Sequence, residues 1–233
     1  MLVHGGGFDA RCWDLLIPHL LAPALAVDLP GRGKHPAPLE SVTLESAGAS
    51  IAADVDAVGF DEVVLVGHSL AGCSMPAAIR ILGHRVRHAV FVACTVPEQG
   101  SSAIDTVPAD VKQLAARARE SGGPGVLDPA IARVVFGNDM DDRQFAWCVE
   151  RMVSEAPGLT TGPIDLTPLA SRPGIPRTWV RPLKDAIVDP AKQLRFADNV
   201  GHCGVIDLDA GHMCMITQPQ RLAAILDGIA SDG

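Results

Sequence analysis

Short apolar runs alternate along this chain with longer stretches whose apolar positions recur every three or four residues. Such alternation predicts the strands of a parallel sheet separated by amphipathic helices. The strand candidates are Met1–Val3, Leu25–Asp28, Val63–Gly67, Ala89–Ala93, Thr178–Arg181 and Gly204–Leu208. The helix candidates are Trp13–Leu20, Leu44–Val58, Leu70–Leu82, Pro190–Asn199 and Gln218–Ala230. No internal repeat or low-complexity segment interrupts the pattern.

The alternation lapses from about Pro97 to Ala170. Three helical patterns (Ala109–Glu120, Pro129–Phe136 and Arg143–Glu155) follow one another there, separated by Gly/Pro-rich turns such as Ser121–Gly125. No strand pattern occurs among them. The segment is short and the sheet pattern resumes after it, so the expectation is one domain over 1–233 with a helical insertion at about 97–170. That insertion would lie over the carboxyl edge of the sheet. The first strand has only three residues before His4-Gly5, so either the sheet is trimmed at its start or the true start lies upstream.

Composition narrows the class. The chain has 233 residues, 48% apolar and 20% charged, a globular balance able to bury a full core. Its net charge of −8, from 19 basic and 27 acidic side chains, speaks against nucleic-acid and anionic-lipid partners. The cysteines at 12, 73, 94, 148, 203 and 214 form no CxxC pair and no zinc-like spacing. They are expected as reduced thiols of a cytoplasmic protein, with Cys73 and Cys94 in the core. No signal-peptide pattern or membrane-length apolar run is present.

The most informative stretch is Val63-Val-Leu-Val-Gly67-His68-Ser69-Leu70-Ala71-Gly72. A β-branched strand enters a tight turn and a helix follows at once, which would lift Ser69 on an elbow at the carboxyl end of the strand. The usual spacing is GxSxG, and here Ala71 takes the last position, followed by Gly72. An N-cap serine is the alternative for such a residue taken alone. A second stretch, His4-Gly5-Gly6-Gly7, places three glycines directly after a strand, where main-chain N–H groups can face a ligand. The backbone N–H groups of Gly6 and Leu70 are the candidate oxyanion hole, with His4 bracing the loop. A phosphate loop is the weaker alternative, because GxGxxG and GK[ST] spacings are absent.

Ser69 as a nucleophile needs a base that reaches it from another loop. His212, in Asp209-Ala-Gly-His212-Met, follows the last strand candidate and so falls at the same sheet edge. His68 would point elsewhere from the elbow, and His84, His88 and His202 fall at the opposite edge, where a solvated role is expected. The carboxylate that orients the base should follow the penultimate strand. Asp185 lies in that loop and is the first choice; Asp189, before Pro190, reads as a helix N-cap and is the reserve. Trp13, Trp147 and Trp179 either line the pocket or pack, with packing expected for Trp179.

On these stretches the chain resembles the α/β-hydrolase superfamily across nearly its whole length. Within it, the chain is similar to the branch of plant methyl esterases, hydroxynitrile lyases and small bacterial esterases. LVHGGGFDARCW at 2–13, VDLPGRGKHP at 27–36, LVGHSLAG at 65–72 and DAGHMCMITQPQRLAAIL at 209–226 carry the likeness. The resemblance implies an α/β-hydrolase fold, a mostly parallel sheet flanked by helices with a helical cap, and neither metal nor cofactor. It maps Ser69, Asp185 and His212 onto the triad, in the expected chain order. It maps the Gly6 and Leu70 N–H groups onto the oxyanion hole. The lyases of the branch carry Thr after the first His and Lys after the triad His, where this chain has Gly5 and Met213.

The expected activity is therefore hydrolysis of a small, largely hydrophobic carboxylic ester, a methyl ester by resemblance, through an acyl-enzyme. A lactone or a carbon–carbon bond in a diketone would use the same apparatus. A non-catalytic small-ligand receptor on this fold is the alternative of another class. The expected partner is a small-molecule ester, and an exposed cap is compatible with a homodimer.

Overall fold

The computed structural model describes residues 1–109 and 126–231, and in it all six strand candidates join one sheet. The strands are β1 (Leu2–Val3), β2 (Ala26–Val27), β3 (Val63–His68), β4 (Val86–Val92), β5 (Arg177–Pro182) and β6 (Gly204–Leu208). Their order is β2-β1-β3-β4-β5-β6 and every neighbouring pair is parallel. The helices are α1 (Leu44–Val58), α2 (Ala71–Leu82), α3 (Pro129–Val135), α4 (Asp142–Val149), α5 (Pro157–Thr161), α6 (Thr167–Ala170), α7 (Pro190–Asn199), α8 (Cys214–Thr217) and α9 (Pro219–Ser231).

Alternate strand residues feed two cores, because successive side chains leave a strand on opposite faces. Leu65, Phe91 and Trp179 join the core of α1, α2 and α7, with Ile51, Met75, Ile79 and Phe196. Val66, Val90, Val92 and Val180 join the other, with Trp13, Leu16, Leu222 and Leu226. Both faces are covered, which is why the strand sequences are almost continuously apolar. Trp179 packs as expected: its ring stacks on Phe91 at 5.8 Å and its Nε1–H donates to Gln193 Oε1 at 3.1 Å.

Where the helices depart from the sequence pattern, a physical cause is visible. Trp13–Leu20 is not an α-helix. It forms two single 3₁₀ turns, Ala10–Trp13 and Ile17–His19, because Pro18 lacks the N–H a continuing helix needs. The helix expected over Arg143–Glu155 spans only Asp142–Val149. Beyond it the chain extends so that Val153 N–H reaches Gly7 O at 2.8 Å, a bond a continued helix would forbid. His88 is half-buried and bonds Thr178 Oγ1 across β4 and β5 at 2.9 Å, so it is a cross-strand group and not a solvated one. The helix expected over 109–120 lies outside the described residues except for Ala109, and the turn over 121–125 lies wholly outside them.

The described part of the insertion between β4 and β5 is helical and contains no strand. It contacts loops that follow β1, β5 and β6 at their carboxyl ends, through Val153 on Gly7, Asn138 on Lys184 and Asp139 on Gly211. Among the described residues no helix is long and apolar enough to cross a membrane.

Helix α1 begins at a capping box between Thr43 and Ser46 and ends at Gly59, whose φ of 75° suits glycine. Its buried face is Leu44, Ala47, Gly48, Ile51, Ala52 and Val55. Gly48 lets it lie directly on α2: a Cβ there would sit 2.5 Å from Ala77 Cβ and 2.7 Å from Ala78 N. Gly48→Ala gains about 1 kcal/mol of helix propensity. It also forces a backbone shift costing about 1–3 kcal/mol. Because the obstacle is main chain, the expected net is a loss, read as a lower urea midpoint.

Candidate active site

Ser69 sits between the end of β3 and the start of α2 with φ of 53°, the left-handed region that a non-glycine residue adopts only when its surroundings impose it. The surroundings do so. Its N–H donates to Val92 O at 3.0 Å, and its carbonyl accepts from Thr95 N–H at 2.9 Å and Gly72 N–H at 3.1 Å. Gly72 has no room for a side chain, since a Cβ would lie 2.7 Å from Thr95 O. Cys94 and Cys73 are buried beside the turn and donate to Gly67 O and Thr95 O.

From that elbow a hydrogen-bonded line runs inward. Ser69 Oγ lies 2.9 Å from His212 Nε2, and His212 Nδ1 lies 2.8 Å from Asp185 Oδ2. A carboxylate can only accept, so Nδ1–H donates to Asp185 and Nε2 is left to accept from the serine hydroxyl. Both partners of the His212–Asp185 pair are fully enclosed. Asp185 Oδ1 accepts from the N–H groups of Ile187 and Val188 at 2.8 and 2.9 Å, and Gln193 Nε2 donates to Oδ2 at 3.2 Å. Burial alone would raise the Asp185 pKa, but His212 and these donors outweigh it and hold the carboxyl below its ordinary value. Asp189 stands apart as the N-cap of α7, accepting from Lys192 N–H at 2.9 Å with Pro190 behind it.

The glycine loop faces the elbow across a close contact. A Cβ on Gly6 would lie 3.0 Å from Leu70 Cδ2, and one on Gly5 would lie 2.8 Å from Ser69 Cβ. Among the described residues, no hydrogen bond engages the N–H of Gly6 or Leu70. Each belongs to a peptide unit whose carbonyl end is held. Gly5 O accepts from His4 Nδ1–H at 2.8 Å, and Ser69 O accepts the two bonds already described. His4 Nε2 in turn accepts from Leu29 N–H at 3.0 Å, which fixes the neutral tautomer.

Several supporting side chains carry no local sequence signal. His68 points away from Ser69, as the elbow geometry suggested, yet its Nε2–H donates to His212 O at 2.9 Å and its ring lies 4.7 Å from the His212 ring. Trp13 packs edge-on against His68. Glu155 reaches from the insertion to accept from Gly7 N–H at 2.8 Å, and Arg32 Nη2 pairs with it at 2.5 Å while Nη1 donates to Phe8 O. Asn138 and Asp139 bond the loops of Asp185 and His212. Such pairs join residues 24 to 148 positions apart, so only coordinates reveal them. Among the described residues no three His, Cys, Asp or Glu side chains converge as a metal site.

Gly6 and Leu70 form a tight crevice with Leu29, Leu159 and Glu155 that has no space for a water molecule. A larger groove, among Leu44, Ala77 and Pro163, touches none of Ser69, His212 and Asp185.

Burial pushes the His4 pKa down to about 4, helped by Arg32, and that of His68 down to about 3, helped by His212. An unfolded chain protonates both imidazoles near 6.5. Below that pH the unfolded state binds more protons, so this contribution is complete above about 6.5 and is lost as the pH falls toward 4 and then 3. Urea midpoints are expected to drop on acidification, each histidine contributing at most about 1.4 kcal/mol per pH unit. His68→Gln, which keeps a donor for His212 O, is expected to flatten that acid limb relative to the parent.

Comparison with known proteins identifies the family. The family model described as "Alpha/beta hydrolase family" matches residues 1–225. A putative chloroplastic methylesterase 14 of Arabidopsis thaliana is 24% identical over 257 residues, covering 99% of this chain and 71% of the relative. The probable esterase PIR7A of Oryza sativa subsp. indica is 37% identical over 105 residues, 43% of this chain and 40% of the relative. Among solved structures, an extracellular alpha/beta-hydrolase from a Paenibacillus species superposes with a TM-score of 0.86 at 21% identity, covering 97% of this chain and 96% of that one. With its parallel sheet, its elbow serine and a family match over nearly its full length, the chain belongs to the alpha/beta hydrolase family.

Proposed function

We propose that the protein is a serine esterase that cleaves a small, largely hydrophobic carboxylic ester through an acyl-enzyme. The observation that carries this reading is the unbroken hydrogen-bonded line from Ser69 Oγ through His212 to Asp185. His212 Nε2 takes the hydroxyl proton as Ser69 Oγ bonds to the acyl carbon. The carbonyl oxygen, now an anion, is received by the N–H groups of Gly6 and Leu70. The tetrahedral species collapses, the C–O bond to the alcohol breaks, and His212 returns its proton to the departing alkoxide. Water then repeats the sequence against the acyl-serine and releases the acid. Asp185 holds the imidazole in the tautomer that can accept and stabilises the imidazolium formed midway. The insertion at about 97–170 acts as a cap on this single domain.

The names of the relatives, a methylesterase and an esterase, support an ester as substrate and a methyl ester as the first to test. Met213, directly after His212, is fully buried among apolar side chains and offers no charge for a departing cyanide, which favours ester hydrolysis over cyanohydrin cleavage. The same apparatus would also open a lactone or split a diketone, and relative kcat/KM across the three substrate classes ranks them.

Ser69→Ala is expected to lower kcat for p-nitrophenyl acetate by about 10⁴-fold or more. A fluorophosphonate should label the parent at Ser69. Absence of label together with undiminished hydrolysis by the mutant would sink the proposal, whereas tight ligand binding without turnover would indicate a receptor. Asp185→Asn is expected to cost about 10⁴-fold in kcat, since the amide stabilises the wrong imidazole tautomer. Asp189→Asn, which preserves a good N-cap, should leave the rate near that of the parent.

A further inference from the structure

Two adjacent residues of the insertion, Asn138 and Asp139, bind the two loops that present the inner pair of the hydrogen-bonded line. Asn138 Nδ2 donates to Lys184 O at 2.7 Å, one residue before Asp185. Asp139 Oδ2 accepts from Gly211 N–H at 2.5 Å, one residue before His212, and from Thr217 Oγ1 at 3.0 Å. The carboxylate therefore brackets His212 from both sides in sequence. Gly211 is shaped for this contact: a Cβ there would collide with the Asp139 carboxylate and lie 2.8 Å from Asn138 Oδ1. The two loops are also tied main chain to main chain, by Lys184 N–H to Ala210 O and Leu183 N–H to Leu208 O, each at 2.9 Å. Phe136, three residues before Asp139, places its ring 5.9 Å from the His212 ring, so the same turn also borders the imidazole.

We propose that Asp139 is a positioning residue for His212, setting the depth of the imidazole against Ser69 by accepting from Gly211 and Thr217. It touches neither the serine nor any reacting atom in this arrangement and acts through the main chain of the 209–212 loop. Ser69 Oγ and His212 Nε2 stand 2.9 Å apart, and displacement of an imidazole by a fraction of an ångström weakens proton transfer more than it weakens substrate binding. The effect should thus fall on kcat and spare KM. An acceptor is what the site requires, so asparagine should substitute for aspartate and alanine should not. The proposal rests on the reading of His212 as the base.

The test uses the full chain with ¹⁵N-labelled histidine, in the parent, Asp139→Ala and Asp139→Asn. The low-field proton resonance of His212 Nδ1–H, assigned by its loss in His212→Gln, reports the bond to Asp185 without any substrate. Asp139→Ala is expected to broaden or remove that resonance. It should also lower kcat for p-nitrophenyl acetate by roughly 10-fold or more with KM within about twofold. Asp139→Asn should keep the resonance and hold kcat within about threefold of the parent. An Asp139→Ala protein with unchanged kcat and an unmoved resonance would overturn the proposal, as would equal losses in both variants. If Asp139→Ala does not fold, Thr217→Val removes one of the two bonds. A parental rate and resonance in that variant count against the proposal in the same way. Failure of the esterase reading would register separately, as undiminished hydrolysis by Ser69→Ala, with the resonance still deciding the role of Asp139.

Discussion

A serine held at φ of 53° at the end of a buried strand is the constraint on which this molecule is built. Left alone, that conformation would relax, at a cost to the fold of order 1–3 kcal/mol while it persists. It persists because β3 lies between β1 and β4, because Val92 and Thr95 on the β4 side grip the Ser69 peptide groups, and because α2 starts at once and cannot shift. Small residues at 67, 71 and 72 let helix and strand come close enough for this. The outcome is chemical as well as geometric. The same bonds that hold the strained turn immobilise the carbonyl end of the peptide unit whose N–H is Leu70, so the donor that the proposed mechanism assigns to the oxyanion is held in place by the fold itself.

The Gly6 donor is fixed by the same logic from different parts. His4 clamps the Gly5 carbonyl, and its own tautomer is set by Leu29. The insertion completes the arrangement at both ends of the site. Glu155 and Val153 hold Gly7 by its N–H and its carbonyl, and Asn138 and Asp139 hold the loops of Asp185 and His212. A segment that looks in sequence like an addition over a finished sheet is thus bonded to three of its carboxyl-end loops.

What the sequence disclosed follows from the range of the interactions involved. The strands were legible because each is a short apolar run with its turn beside it. Leu44–Val58, Pro190–Asn199 and Gly204–Leu208 have the very bounds their patterns suggested. Ser69 was legible because strand, turn and helix are contiguous, and the separation of Asp185 from Asp189 was legible because Pro190 marks a helix start. Trp13–Leu20 misled because apolar spacing outweighed Pro18 in the reading, although proline decides the local backbone. Glu155 was assigned to a helix because the hydrogen bonds that straighten the chain there come from Gly7, 148 residues away for the side-chain bond. The short helices Pro157–Thr161, Thr167–Ala170 and Cys214–Thr217 went unpredicted because a single turn gives no periodicity to detect. His68, Asn138 and Asp139 carry no sequence signal for another reason: their partners near His212 and Asp185 lie 46 to 144 positions away.

Charge placement around the serine ties these observations together. The chain is acidic overall, and two carboxylates approach the site that, in the proposed mechanism, receives a negative oxygen: Asp185 behind His212, and Glu155 beside the glycine loop. A bare carboxylate at the position of Glu155, whose side chain is only 18% exposed, would oppose an oxyanion at Gly6. Arg32, 3% exposed at its side chain and without a competing carboxylate partner among the described ion pairs, cancels that charge at 2.5 Å. A neutralised carboxylate can then serve as an acceptor for Gly7 N–H without imposing its field on the donor next to it. Arg32 thereby keeps the Glu155 carboxylate from placing an uncompensated negative charge beside the glycine loop, which is what the proposed oxyanion at Gly6 would require.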